Sequence, residues 1–278
     1  NNGTIESCGS NGGSSGTGNS VGGAINVIVM DNKVVTEIGK RAQNATGAVV
    51  ETKLTAGGDI KIDAKDDAWL MIIPVCATYA GGNASVGASV ATIITTSDVR
   101  TYVNSGSVIE ATNGGIDVTA GSAMWLLDAV VAVSIASNAS GTAAAIPLSI
   151  LRSKENVNTK VENAKLTAKK DINIAASSDN MLITAVVSAA GSAGNAVGAA
   201  ISVHIFNRTV KTQVINSIIE SKEGSVSIAS VGDDLSVTAL VAAGVSTGQV
   251  AVSGSIPVVV SNSKIETEVI GAASNETQ

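Results

Sequence analysis

The chain has little of what most function classes require. Its 278 residues include one histidine, two cysteines, three prolines, two tryptophans, two tyrosines and one phenylalanine. His204 has no second histidine, no nearby cysteine and no carboxylate cluster beside it in sequence, so neither a general-base dyad nor a metal set can be assembled around it. The spacing predicts a half-exposed strand residue within Ile201-Ser202-Val203-His204-Ile205-Phe206. Lys and Arg number 17 against 23 Asp and Glu. No basic stripe is left to neutralise phosphates, which excludes a nucleic-acid partner. Aromatics at 2% leave few surfaces for stacking sugars. Helix signals are poor, because the long apolar runs are broken by Gly and lack charged i,i+4 pairs.

Charge is absent from three long stretches, Trp69–Ser97, Leu182–Phe206 and Leu235–Ser263. Their length would suit a membrane helix. They are, however, full of Gly, Ser, Thr and Asn, and Ser188–Asn195 reads as a turn between two strands. The aromatic girdles of a membrane barrel are missing, so the segment is expected not to span a membrane. Cys76 lies in the apolar run Ile73–Ala77 and reads as a buried small hydrophobe. Cys8 sits in a Gly/Ser/Asn-rich opening, and a Cys8–Cys76 disulfide is the weaker reading.

What the chain has is repetition. A five-residue phrase with a central threonine recurs as Val34–Ile38, Val99–Val103, Val157–Val161, Val210–Val214 and Ile265–Val269, around Thr36, Thr101, Thr159, Thr212 and Thr267. Its apolar–polar alternation is the period-2 mark of a strand with one buried face. A second phrase begins at Ile60, Ile116, Ile172 and Val226, giving a period of about 55 residues. Nine residues after each lies a large side chain: Trp69, Trp125, Met181 and Leu235. Thirty-one residues after each lies Ala91, Pro147, Val203 or Pro257. Val21–Val27 matches Val197–Val203, so the chain is expected to open in mid-repeat, as a segment of a longer array, with a loop insertion within Gly39–Gly58. No signal peptide is visible.

These markers predict one all-β segment over 1–278: a partial first repeat over 1–58, then 59–114, 115–170, 171–224 and 225–278. Each unit would bury its apolar face against its neighbours. A 55-residue unit is long for one coil and halves naturally, with one half opening at Ile172 and the other at Ile201. The expected fold is a right-handed parallel β-helix with two coils per repeat. It would have about nine or ten rungs and a length of about 45 Å. Threonines of the column would then lie about 9–10 Å apart, exposed or bonded to an intervening rung.

Leu54-Thr55-Ala56-Gly57-Gly58-Asp59-Ile60-Lys61-Ile62-Asp63-Ala64 and Leu166-Thr167-Ala168-Lys169-Lys170-Asp171-Ile172-Asn173-Ile174-Ala175-Ala176 carry a resemblance. With the Ala/Gly/Val-rich stretches and the Thr phrase that follow, they resemble repeats of large secreted bacterial exoproteins, the filamentous-haemagglutinin-like and leukotoxin-type adhesins. The likeness runs from about Val21 onward. It implies export, display at the bacterial surface and a β-helical shaft whose partners are host cell surface, extracellular matrix or copies of itself. It brings over no catalytic residue and no cofactor.

Other classes rank behind this reading. A self-associating filament or surface-layer subunit is the alternative. A polysaccharide-cleaving β-helix would need two positioned carboxylates, and the repeat-equivalent Trp69 and Trp125 point to packing instead. Asp66-Asp67 and Asp233-Asp234 read as solvated corner charges at equivalent places. Calcium there would need more oxygens, and the calcium-roll nonapeptide pattern does not occur. No catalytic, cofactor or metal residue is expected.

Overall fold

The computed structural model describes residues 2–15, 18–39 and 51–271, the first of these segments by its backbone alone. Among the described residues it is all-β, 84% strand without helix. Five turns of chain lie one upon another. The first contributes β1 (Asn2–Ser15), β2 (Ser20–Ile38) and β3 (Thr52–Ala56). The second contributes β4 (Ile60–Ala80), β5 (Ala84–Val103) and β6 (Ser107–Ala111), and the third β7 (Ile116–Ala136), β8 (Thr142–Glu162) and β9 (Lys165–Ala168). The fourth holds β10 (Ile172–Ser192), β11 (Asn195–Ile215) and β12 (Ile218–Ser221), and the fifth β13 (Val226–Ser246) and β14 (Val250–Ile270).

Each first strand joins sheet A (β1-β4-β7-β10-β13), each second joins sheet B (β2-β5-β8-β11-β14) and each short third joins sheet C (β3-β6-β9-β12). Pairing is parallel throughout. The chain is a right-handed parallel β-helix, the hand that parallel crossovers take. Sheets A and B face each other, and sheet C closes one end.

The register sets the number of coils. Ile60 pairs with Ile116, Ile116 with Ile172 and Ile172 with Val226. Each repeat is therefore one coil, not the two that its halving predicts. The halves are real, but each is one strand. At 21 residues for β4, β7, β10 and β13, these strands far exceed the usual five or six. The assembly has five rungs and spans about 19 Å along its axis at 4.8 Å per step. The parallel stack of Trp69 on Trp125, with centroids 4.8 Å apart and planes 6° apart, shows the same spacing in side chains.

In the first coil β1 pairs with Asp67–Ala80 of β4, within the partial first repeat expected over 1–58. Two further expectations change. The turn between β10 and β11 is Ala193-Gly194 alone, and Ser188–Ser192 remain in strand. Ala91 stacks on Ser149, and Ser202 stacks between Ser149 and Pro257, so Pro147 and Val203 fall off the column assigned to them. The turns between sheets A and B differ in length and shift that count. Residues 40–50, within the predicted insertion, lie outside the described residues.

The threonine column explains the phrase that recurs. Thr36, Thr101, Thr159, Thr212 and Thr267 stack directly, one rung apart. They point inward, and Thr101, Thr159 and Thr212 are fully buried. The hydroxyls of the first four cross the core and donate to a carbonyl of sheet A in the next coil: Thr36 to Asp63 (2.7 Å), Thr101 to Thr119 (2.6 Å), Thr159 to Ala175 (2.7 Å) and Thr212 to Ala229 (2.6 Å). The acceptors form a column of their own. Threonine suits the place because its branched methyl packs like valine while its hydroxyl ties the sheets together. Replacing Thr159 by valine keeps the shape and removes the donor. A loss of about 1 kcal/mol is expected, with serine recovering part of it, read from urea melts.

Corners repeat too. In each of the first four coils one residue after sheet B takes positive φ: Gly39 (80°), Gly106 (80°), Asn163 (46°) and Asn216 (47°). Asn and Gly are the residues that tolerate this conformation. Between sheets C and A, the carboxylates of Asp59 and Asp171 accept from the amides of Gly115 (2.8 Å) and Ser225 (2.7 Å) of the following coil. These are the acidic residues of the Asp-Ile phrase.

Candidate functional site

Polar chemistry concentrates in two columns that face each other in mid-sheet. Asn32, Ser97, Glu155, Arg208 and Ser263 stack on sheet B. Opposite them on sheet A stand Asp66, Ser122, Ser178 and Gly232. Asp66, almost fully buried, accepts from Asn32 (3.0 Å) and Ser97 (2.7 Å). Glu155 accepts from Ser178 (2.7 Å) and Asn180 (2.8 Å). Arg208 pairs with Asp234 (2.8 Å) and donates to the Asp233 carbonyl (3.0 Å) and to Ser263 (3.1 Å). A Cβ on Gly232 would come within 3.0 Å of the Arg208 guanidinium carbon, so the missing side chain makes room for it. The seam is buried polar chemistry paired across the core, except at Glu155 Oε1, which has no partner among the described residues.

The acidic pairs are therefore not corner charges. Asp66-Asp67 and Asp233-Asp234 lie within strands β4 and β13, and they are not equivalent: Asp66 stacks in line with Gly232, and Asp233 in line with Asp67. Among the described residues no three His, Cys, Asp or Glu side chains come together to hold a metal ion.

Against the seam, and lined in part by its Ser97, Glu155, Arg208 and Ser263, sheet B carries a groove of about 890 Å³ across all five rungs. Its walls include Asp31, Lys33, Asp98, Arg100, Lys154 and Lys264. Asp98 holds Arg100 (2.6 Å) and Asn156 (2.8 Å), and Asn262 donates to Asn207 (3.1 Å). No aromatic ring lines it. The groove offers mixed charge, amides and the hydroxyls of Thr96, Thr209 and Ser261.

His204 lies elsewhere and is fully buried, not half-exposed. Even-numbered positions of β11 face inward, and the alternating apolar neighbours Val203 and Ile205 face out. Its Nε2 lies 2.8 Å from the Ser202 hydroxyl and 3.3 Å from that of Ser149, and its ring meets Phe206 edge-on. Ser149 donates in turn to Asp128, also fully buried. Burial lowers the His204 pKa to about 4. It raises that of Asp128 to about 6, offset in part by the Ser149 hydrogen bond. His204 Nδ1 and one Asp128 oxygen have no partner. An Asp–Ser–His relay with serine in the middle cannot activate that serine as a triad does, because imidazole must contact both the nucleophile and the acid. Only a column-by-column register would have revealed the cluster, since its members come from β7, β8 and β11.

Cys76 is buried and free, its thiol pushed up by burial. The backbone of Cys8 pairs with Ile73, not with Cys76, and its side chain lies outside the described residues. Trp69 and Trp125 stack as repeat-equivalent residues, on the outer face of sheet A.

No family model, curated protein or solved structure matches this chain.

Proposed function

We propose that the chain is a structural and adhesive shaft segment of a large exoprotein, secreted or displayed at a bacterial surface. The observation that carries this reading is the unbroken register: two sheets of long parallel strands run through all five coils without a change of pairing. Threonine cross-ties and corner caps recur from coil to coil. Such a body transmits load, and any coil is held much as its neighbours are. The mixed-charge groove on sheet B is the surface a host cell or matrix partner would meet first.

Single-molecule pulling between the chain ends tests the reading. The expected result is unfolding in successive steps, each releasing about 18–20 nm for about 55 residues at 3.3–3.6 Å each. Collapse of the whole segment in one low-force event would remove the case for a shaft.

A further inference from the structure

We propose that a second copy of this chain packs against the outer face of sheet A, forming a two-fold dimer through the apolar half of that face. The inference goes beyond the shaft reading and stands or falls apart from it.

Odd-numbered positions of β4 and β7 point outward. From residue 69 onward they are apolar in the four coils of β4, β7, β10 and β13, while the positions of β1 paired with Trp69, Met71 and Val75 are Thr4, Glu6 and Ser10. The outer columns are Trp69/Trp125/Met181/Leu235, Met71/Leu127/Ile183/Val237 and Val75/Val131/Val187/Val241. Towards the ends of these strands the inner positions are small or hydroxylated (Cys76, Thr78, Ala80; Ala132, Ser134, Ala136; Ser188, Ala190, Ser192), whereas Leu70, Ile72, Leu126, Val130, Leu182 and Val186 fill the core before them. Only over this last stretch is the usual distribution inverted. Large apolar side chains stay at the surface there, with Tyr79 at 46% and Ile135 at 45% exposure. Patches of this kind mark interaction sites.

Three features commit the face to a copy of itself. The first is area. Six outward positions over an eleven-residue span, by four coils, cover about 35 by 14 Å, or about 500 Å² per copy. Two copies would bury about 1,000 Å², the lower bound for a specific interface. The second is relief. The valine column 75/131/187/241 is a ridge between two columns that are alanine except at Ile73 and Val133: Ile73/Ala129/Ala185/Ala239 and Ala77/Val133/Ala189/Ala243. Ridges of one sheet fit grooves of an identical one at the 10 Å spacing of packed sheets. A fluid lipid phase has no use for such relief. The third is charge. The other half of this face carries Lys61, Lys65, Asp63, Asp67, Asp117, Asp179 and Asp233, an excess of acid. A two-fold axis through the apolar half overlays the uncharged regions and sends the acidic halves to opposite sides.

The test is sedimentation velocity on the wild-type chain and on Val131→Lys/Val187→Lys, with phospholipid vesicle flotation alongside. The expected result is a wild-type dimer at micromolar concentration and a lysine variant that sediments as a monomer with an unchanged circular dichroism spectrum. A nitroxide at position 185 in a cysteine-free background gives a second reading that needs no disruptive change: its spectrum should broaden on dimerisation. The proposal is overturned by a wild-type chain that stays monomeric at about 100 µM, whether or not it floats with vesicles. It is also overturned by a dimer that survives the sheet A lysines and is lost with Val203→Lys on sheet B.

Discussion

Gly198→Ala should cost about 3 kcal/mol, the upper end of what overpacking a core does. Gly198→Val should leave the chain unfolded at room temperature. A Cβ at Gly198 would sit 2.5 Å from the carbonyl oxygen of Ala243 and 3.0 Å from its carbon. Both are backbone, so no side chain can swing aside. Here β11 of one coil and β13 of the next approach so closely that only hydrogen fits between them. Gly87 and Gly244 mark the same approach, with carbonyl oxygens 3.1 Å and 2.9 Å from their would-be Cβ atoms. Gly254 is the control, since nothing lies within 4 Å of its Cβ position. Gly254→Ala should change stability by less than about 0.5 kcal/mol. Urea melts of the two alanine variants make the comparison. Equal effects would show that the sheets do not meet at Gly198.

The second large effect is a pH dependence that is hidden in the wild type. The folded-state pKa of Asp128 is raised from 3.8 to about 6. Its contribution is therefore most favourable below pH 3.8 and is lost as pH rises through 6. The shift is worth about 3 kcal/mol at 1.36 kcal/mol per unit. His204 runs the other way. Its pKa is lowered from 6.5 to about 4, so its contribution is present above pH 6.5 and is lost as pH falls towards 4. Between pH 4 and 6 the two slopes oppose each other. Asp128→Asn should uncover a chain that weakens on acidification through this window. His204→Leu, which places leucine beside Leu151 of the same column, should uncover one that strengthens. Urea midpoints from pH 4 to 8 read both, and slopes of the same sign in the two variants would refute the assignment.

The period was open to reading because stacked positions share one environment and so share residue types. The Thr phrase, the Ile-x-Ile phrase and the Trp/Met/Leu column all lie in true register. The number of coils was not, because sequence alternation shows where a strand runs but not where it ends. An unbroken strand of 21 residues looks like two shorter ones separated by Gly and Ser. Sidedness was hidden for a related reason. Alternation of large and small residues over 69–80 is the same pattern whichever set faces inward. The choice is made far away, at Ile60, Ile62 and Ala64, whose burial sets the parity of the whole strand. Continuing that parity puts Leu70 and Ile72 inside, and then Cys76 and Thr78, while Trp69, Val75 and Tyr79 go out. The same rule turns His204 into the core. The Asp66 and Arg208 seam was missed because its partners are 31 or more residues apart for Asp66 and 25 or more for Arg208.

One coil per repeat is the claim on which the threonine cross-ties, the stacked tryptophans and the outer apolar face all depend. Nitroxides at Lys61 and Ser227 test it most directly. Both face outward on sheet A, and Asp117 and Asn173 join them in one column. Three rungs should separate them by about 14 Å at 4.8 Å per rung, close enough for strong dipolar broadening in frozen solution. Two coils per repeat would place them about 29 Å apart by the same spacing. A spectrum with no broadening and a pulsed-EPR distance near that value would contradict the account.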